Sequence, residues 1–485
     1  MTSRPIPGRR VCVVGGGLAG LVGARSLALV GVDVVLLEGS PVLGGKLRLA
    51  EVAGHRVDVG AEAMLAVRPE GSDLVESLGF GAELVTPATT SASIWSRGRP
   101  WPLPPGTLMG VPGSPRGLEG LLTDEEIARW SAEEPWPQAV REDVSVGDYV
   151  GGRLGRAIVD RLVDPLLGGV YAGRADDLSL AATIPALWES ARTGASLTEA
   201  VAARLAPPAD EGAGDRAAAQ PEPVARAPFA GIKGGMGRLP EMLAADLEAR
   251  GVDVRTGRTV RGLERRGDGF GVLLGPTTTP EWLLVDSVLV ATPAAATGRL
   301  LRDVVPDAAR ELDRIEAASS VVVTLALPRS ACPDLPGSGF LVPAVDGHTI
   351  KGATFSGNKW AWTDALDRDL VFLRASMGRA GQVADLQRED ADLVSVAHRE
   401  IGEAIGSALP PPVDAHVQRW GGGLPQYTVG HLSRIRAVSD AVGRVPGLEV
   451  AGAAYEGVGI PAVIASASTA AERLLTHLRP VSGDL

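Results

Sequence analysis

The feature that most constrains this chain is the run Gly15-Gly16-Gly17-Leu18-Ala19-Gly20, set between two apolar stretches. Val11 to Val14 reads as a buried strand, Leu18 to Val30 carries the helical period, and Val32 to Leu37 reads as a second strand. In such a strand–helix–strand unit each spaced glycine has a task. Gly15 permits the tight turn, Gly17 lets the backbone approach a pyrophosphate, and Gly20 lets helix and strand pack closely. The pyrophosphate then rests on the free N–H groups and the positive end of the helix. Glu38 closes the second strand, near the ~20-residue offset of an acid that binds a ribose hydroxyl. A carboxylate there would repel a 2′-phosphate. Strand, helix and acid fall in register, so the segment reads as a dinucleotide site rather than a structural glycine turn.

Length and composition set the frame around that unit. At 485 residues the chain calls for two or three domains, at ~100–200 residues each. The net charge of −11 disfavours nucleic acid and anionic lipid, so an anionic ligand would need a local basic pocket. The two cysteines, Cys12 and Cys332, suggest neither a structural disulfide nor a metal site. No leader peptide and no apolar run of ~18 residues is found, so a soluble, cytoplasmic protein is expected. A mean hydropathy of +0.13 leaves room for a peripheral membrane contact.

Further along, residues 95–115 are rich in Pro, Gly and Trp, which favours loops or short strands. Thr123 to about Leu205 is mostly helical, with Thr123-Asp124-Glu125-Glu126 as a helix start. Residues 207–228 lack aromatic and β-branched periodicity and read as a mobile loop. Val57 to Val59, Val252 to Val254, Thr259-Val260, Val285 to Ala291, Val321 to Leu327, Leu370 to Ser376 and Leu448 to Gly452 read as strands. Leu239 to Leu247 and Ala462 to Leu475 read as helices.

Gly44-Gly45-Lys46 follows Glu38, and a second glycine pair there resembles FAD proteins of the amine oxidase and glutathione reductase kind. Neither Gly234-Gly235-Met236-Gly237 nor Gly457-Val458-Gly459 reads as a second strand–glycine–helix unit. FAD without NADPH is therefore expected, with O2 or another acceptor taking the electrons.

Three segments carry a more specific resemblance. They are Leu162-Val163-Asp164-Pro165-Leu166-Leu167-Gly168-Gly169-Val170-Tyr171-Ala172-Gly173, then Leu424-Pro425-Gln426-Tyr427-Thr428-Val429-Gly430-His431, then Ala451-Gly452-Ala453-Ala454-Tyr455-Glu456-Gly457-Val458-Gly459-Ile460-Pro461. With the N-terminal glycines they resemble the protoporphyrinogen/coproporphyrinogen oxidase family over nearly the whole chain. The resemblance implies FAD contacts at Gly15, Gly16, Gly17, Leu18, Ala19, Gly20, Glu38, Gly39, Lys46, Gly60, Ala61, Glu62 and Ala63. It also implies contacts at Val260, Trp420, Val458, Gly459 and Ile460. The family's eukaryotic branch carries an Asn-Arg pair where this chain has Ser91-Ala92, which favours the bacterial coproporphyrinogen III branch.

The implied reaction takes a hydride from a methylene bridge to the flavin and a proton from a pyrrole nitrogen, with O2 returning hydrogen peroxide. Arg68 is the first candidate for charge at the flavin or at a propionate, and Arg97, Arg99, Tyr171 and Tyr427 are candidate substrate contacts. Protoporphyrinogen IX, or an amine or carotenoid, is the alternative substrate, and an FAD- and porphyrin-binding carrier the non-enzyme reading. Ferrochelatase is a partner at family level only.

The expected architecture is α/β: an FAD-binding Rossmann-like domain of the glutathione reductase/amine oxidase type, a mixed-sheet substrate domain and a helical insertion. Residues 1–92, 229–295 and 416–485 are assigned to the first, 93–122 and 296–415 to the second. Residues 123–206 form the insertion, expected to face a membrane or partner.

Overall fold

The computed structural model describes residues 8–134, 136, 140–206 and 227–478. The segment read as a mobile loop lies almost wholly outside them.

The opening strand Arg10–Val14 is flanked by the strands Asp33–Leu37 and Ser287–Val290, both parallel to it. Asp253–Arg255 and Leu448–Val450 complete a five-stranded parallel sheet. Numbered along the chain, its strands lie in the order 3-2-1-4-5, the doubly wound arrangement in which ligands sit beyond the carboxyl ends of the strands. The first helix, Leu18–Ala28, and the last, Ile460–Leu478, pack together on one face of this sheet.

The second layer is a seven-stranded mixed sheet. Its order is Asp414–Pro425, Ala317–Pro328, Leu370–Met377, Ile350–Phe355, Gly339–Leu341, Ser93–Ser96, Arg99–Pro102. Alternate residues Val321, Val323, Leu325 and Leu327 bury one face under the helix Asp390–Ile405, as a half-covered antiparallel sheet requires. The other face presents Thr324, Arg374 and Trp420 toward the dinucleotide-binding side. Helices between Asp124–Ser131 and Leu197–Leu205 form the insertion around its own apolar cluster.

Several expectations need correction. Val285 to Ala291 is not one strand: Glu281–Val285 and Ser287–Val290 belong to different sheets. They part at Asp286, whose carboxylate accepts the Arg10 backbone N–H at 2.6 Å. The boundary at 415/416 falls inside the strand Asp414–Pro425, which pairs with Ala317–Pro328 in the substrate sheet. The boundary at 295/296 comes early, because the helices Ala294–Leu301 and Pro306–Asp313 pack on the parallel sheet's core. The segment Gly234 to Gly237 does lie between a strand, Phe229–Ile232, and a helix, Arg238–Ala249. That strand is antiparallel to its neighbours, and the Asp58 carboxylate already accepts the Met236 and Gly237 N–H groups, both at 2.9 Å. The helix end is thus occupied from within and offers no phosphate seat.

The helix Asp124–Ser131 begins where expected. The Thr123 side chain accepts the Glu126 N–H at 3.2 Å and the Glu126 carboxylate accepts the Thr123 N–H at 2.8 Å. Replacing Thr123 by Ala removes half of this reciprocal cap. The expected outcome is a loss of about 1 kcal/mol in chemical denaturation, with flavin content unchanged.

Candidate flavin site

The site is built from the first helix outward. Leu18–Ala28 has no acid in its first turn and no side-chain cap, so its leading N–H groups are available to an anion. The helix seats closely because residue 20 is glycine: a Cβ there would lie 1.8 Å from the Gly15 carbonyl oxygen. Glu38, at the end of the second strand, accepts the Gly16 N–H at 2.6 Å and the Ser40 N–H at 2.7 Å. Its carboxylate therefore stands over the glycine turn, where a ribose would follow a pyrophosphate. Gly39 lies against Thr259, and Val260 opens the strand Val260–Arg266, packed partly buried on the parallel sheet's core.

The turn Gly44-Gly45 lies on Gly17, and two cations follow it. Burial lowers the pKa of the Lys46 ammonium. Arg48 lies 5.7 Å from the centre of the Trp420 ring, with its Nε buried and unpartnered. Neither cation forms an ion pair among the described residues. Both suit a ligand that brings its own negative charge.

The segment Gly60-Ala61-Glu62-Ala63 is held by its surroundings on all sides. A Cβ on residue 60 would lie 1.9 Å from the Lys46 carbonyl oxygen, so only glycine fits. Trp420 Nε1 donates to the Val59 carbonyl at 3.1 Å. Arg374 donates to the Gly60 carbonyl and to Glu62, and Lys359 donates to the other Glu62 oxygen at 2.6 Å. Burial raises the pKa of Glu62, but the Lys359 and Arg374 charges overcome it and bring it down to about 2.

The three segments that carry the family resemblance converge on one wall. Gln426 Nε2 donates to the Tyr171 carbonyl at 2.8 Å, and the rings of Tyr171 and Tyr427 lie 5.5 Å apart. Tyr427 donates its hydroxyl to the Ala453 carbonyl at 2.7 Å. His431 stacks on Tyr427 at 3.9 Å, and burial lowers its pKa to about 4, as expected of a structural histidine. Val458 packs against the insertion's cluster while Ile460 enters the parallel sheet's cluster. The last helix thus begins at the junction of the two cores, a common place for a ligand pocket.

The arginines named from sequence each have a partner of their own. Arg68 pairs with Glu70, whose carboxyl lines a groove between the first helix, the helix Glu70–Ser77 and the last helix. Arg97 donates to the Leu121 carbonyl at 3.0 Å and to the Glu126 carboxylate. Arg99 stacks on Trp101 at 3.6 Å. The cations beside Gly60 to Ala63 are Arg374 and Lys359, which sequence reasoning missed, as it missed Arg48. No spacing signal joins Glu62 to residues 297 and 312 positions away.

The fold and this site define an FAD-dependent oxidoreductase. Residues 18–475 match the family described as flavin containing amine oxidoreductase, and the chain belongs to it. It is 34% identical over 477 residues to a protein of Mycobacterium tuberculosis named coproporphyrinogen III oxidase, covering 97% of this chain and 98% of that one. A protein of the same name from Mycobacterium leprae is 35% identical over 474 residues, covering 96% and 98%. A crystal structure from Exiguobacterium sp. 255-15, provisionally named protoporphyrinogen oxidase, superposes with a TM-score of 0.82 at 29% identity, covering 97% and 99%.

Two substitutions test the site. Gly20→Ala drives a methyl into the Gly15 carbonyl, and the purified variant is expected to retain little FAD after desalting, read from its visible spectrum. Glu62→Gln leaves Lys359 and Arg374 buried without their counter-charge and is expected to cost about 3–5 kcal/mol. Glu62's folded pKa lies below its ordinary 4.5, so its contribution is full above 4.5 and is lost as pH falls toward about 2. Denaturation curves across that window should show a larger loss in the wild type than in the variant, the difference being Glu62's share.

Proposed function

We propose that this chain oxidises coproporphyrinogen III to coproporphyrin III in haem biosynthesis. The observation that carries the reading is the convergence of residues 162–173, 424–431 and 451–461 on one wall at the start of the last helix. Relatives named coproporphyrinogen III oxidase match the chain almost end to end, which supports the same substrate here.

Bound FAD supplies the two-electron acceptor, and O2 as terminal acceptor leaves as hydrogen peroxide. The chain's own part is orientation. The uncapped first helix and Glu38 hold the dinucleotide end, while Lys46 and Arg48 offset its negative charge. Arg374 fixes the Gly60 carbonyl and, with Lys359, the Glu62 carboxylate, in a segment that would contact bound FAD. The Tyr171 and Tyr427 rings, tilted by 48° and buried, back that wall with rigid aromatic packing. The last helix begins at the same place, and its N-terminal dipole would favour negative charge on a bound flavin.

The test is a side-by-side assay of the FAD-loaded protein with the two porphyrinogens in air. Porphyrin fluorescence should rise above autoxidation with coproporphyrinogen III, faster than with protoporphyrinogen IX, with peroxide formed in step. A reversed preference would assign the chain to the protoporphyrinogen branch. No acceleration with either would leave the FAD- and porphyrin-binding carrier.

A further inference from the structure

Behind the Gly60 to Ala63 segment lies a small, partly open chamber between the strand His55–Asp58, the seven-stranded sheet and the short helices Ser356–Lys359 and Ala361–Asp364. The volume open to a water's centre is about 10 Å³. That is room for about one water molecule. Five buried polar atoms belong to residues that line it: Thr324 Oγ1, Ser356 Oγ, Thr363 Oγ1, Trp360 Nε1 and Arg374 Nε. None has a hydrogen-bond partner among the described residues. They come from two strands, two helices and the residue that joins those helices, so one local misfit does not explain them. Buried polar atoms go unpaired rarely, and a cluster around one void marks a missing partner.

The chemistry of the five atoms selects that partner. Trp360 Nε1 and Arg374 Nε can only donate, while the three hydroxyls can donate or accept. The occupant must therefore accept at least two hydrogen bonds. Asp58 and Glu62 share the wall, which disfavours an anion. A neutral acceptor that can also donate to a hydroxyl is water.

Arg374 gives the chamber its consequence. One of its terminal nitrogens donates to Glu62 and the other to the Gly60 carbonyl, and Nε alone has no partner among the described residues. We infer that an ordered internal water bridges Arg374 Nε to Thr324 and its neighbours, and that Arg374 is thereby a positioning residue for the flavin-facing backbone. The second half rests on the reading that Gly60 to Ala63 line the flavin; the water itself does not.

Two measurements on the FAD-loaded enzyme test this. A crystal structure at a resolution that shows internal water should place one within hydrogen-bond distance of both Arg374 Nε and Thr324 Oγ1. A dry or collapsed chamber overturns the inference. Thr324→Val keeps the shape and removes the hydroxyl, and should weaken FAD binding roughly 2- to 10-fold and shift the flavin's visible spectrum. Thr324→Ser should restore both. If Thr324→Val fails to fold, Thr363→Val removes a different hydroxyl and carries the same expectation. Unchanged FAD affinity and spectrum in the valine variants would refute the positioning role even with water present. A wild-type protein that binds no FAD would instead sink the flavin assignment, and the crystal structure would still decide the water.

Discussion

The structure depends on how closely the first helix sits on the first strand. Gly20 lies so near the Gly15 carbonyl that no side chain can intervene. That contact aims the uncapped start of Leu18–Ala28 at the space above the parallel sheet. With no acidic residue in its first turn, the helix end carries uncompensated positive charge that would suit an anionic group. Glu38 and the Gly44-Gly45 turn are then fixed around the same point by backbone contacts.

A second constraint joins the two layers. The seven-stranded sheet and the helix beside it reach across to the Val59 to Glu62 segment through Arg374, Trp420 and Lys359, which bind Gly60, Glu62 and Val59. A buried ion pair of this kind is weak evidence for added stability, since desolvation offsets much of the attraction. Its value here is geometric. It ties the Gly60 to Ala63 segment to the seven-stranded sheet, so the two layers are held in one fixed relation.

The parts legible in sequence are those whose signal is local. The first strand–helix–strand unit shows its periodicity within 30 residues, and the Thr123 cap announces itself with Glu126. The resemblance segments are legible too, although their meeting at Tyr171, Tyr427 and Ala453 is a property of the fold. The illegible parts are contacts over long separations. Arg68 draws attention because it follows Gly60 closely, yet it pairs with Glu70 while residues from the far half of the chain neutralise Glu62. Asp58 hides in the same way: as part of an apolar run it reads as a strand residue, and only the fold puts it at the start of Arg238–Ala249. The break at Asp286 is equally hidden, since two strands joined by a single residue read as one in sequence.

The account turns on electrons passing from a porphyrinogen to a flavin held by the first helix. The most direct measurement mixes FAD-loaded protein with coproporphyrinogen III without oxygen and follows flavin and porphyrin absorbance together. The visible flavin band should bleach as porphyrin forms in proportion, and return when air is admitted. A flavin that stays oxidised while porphyrin appears no faster than in buffer would contradict it.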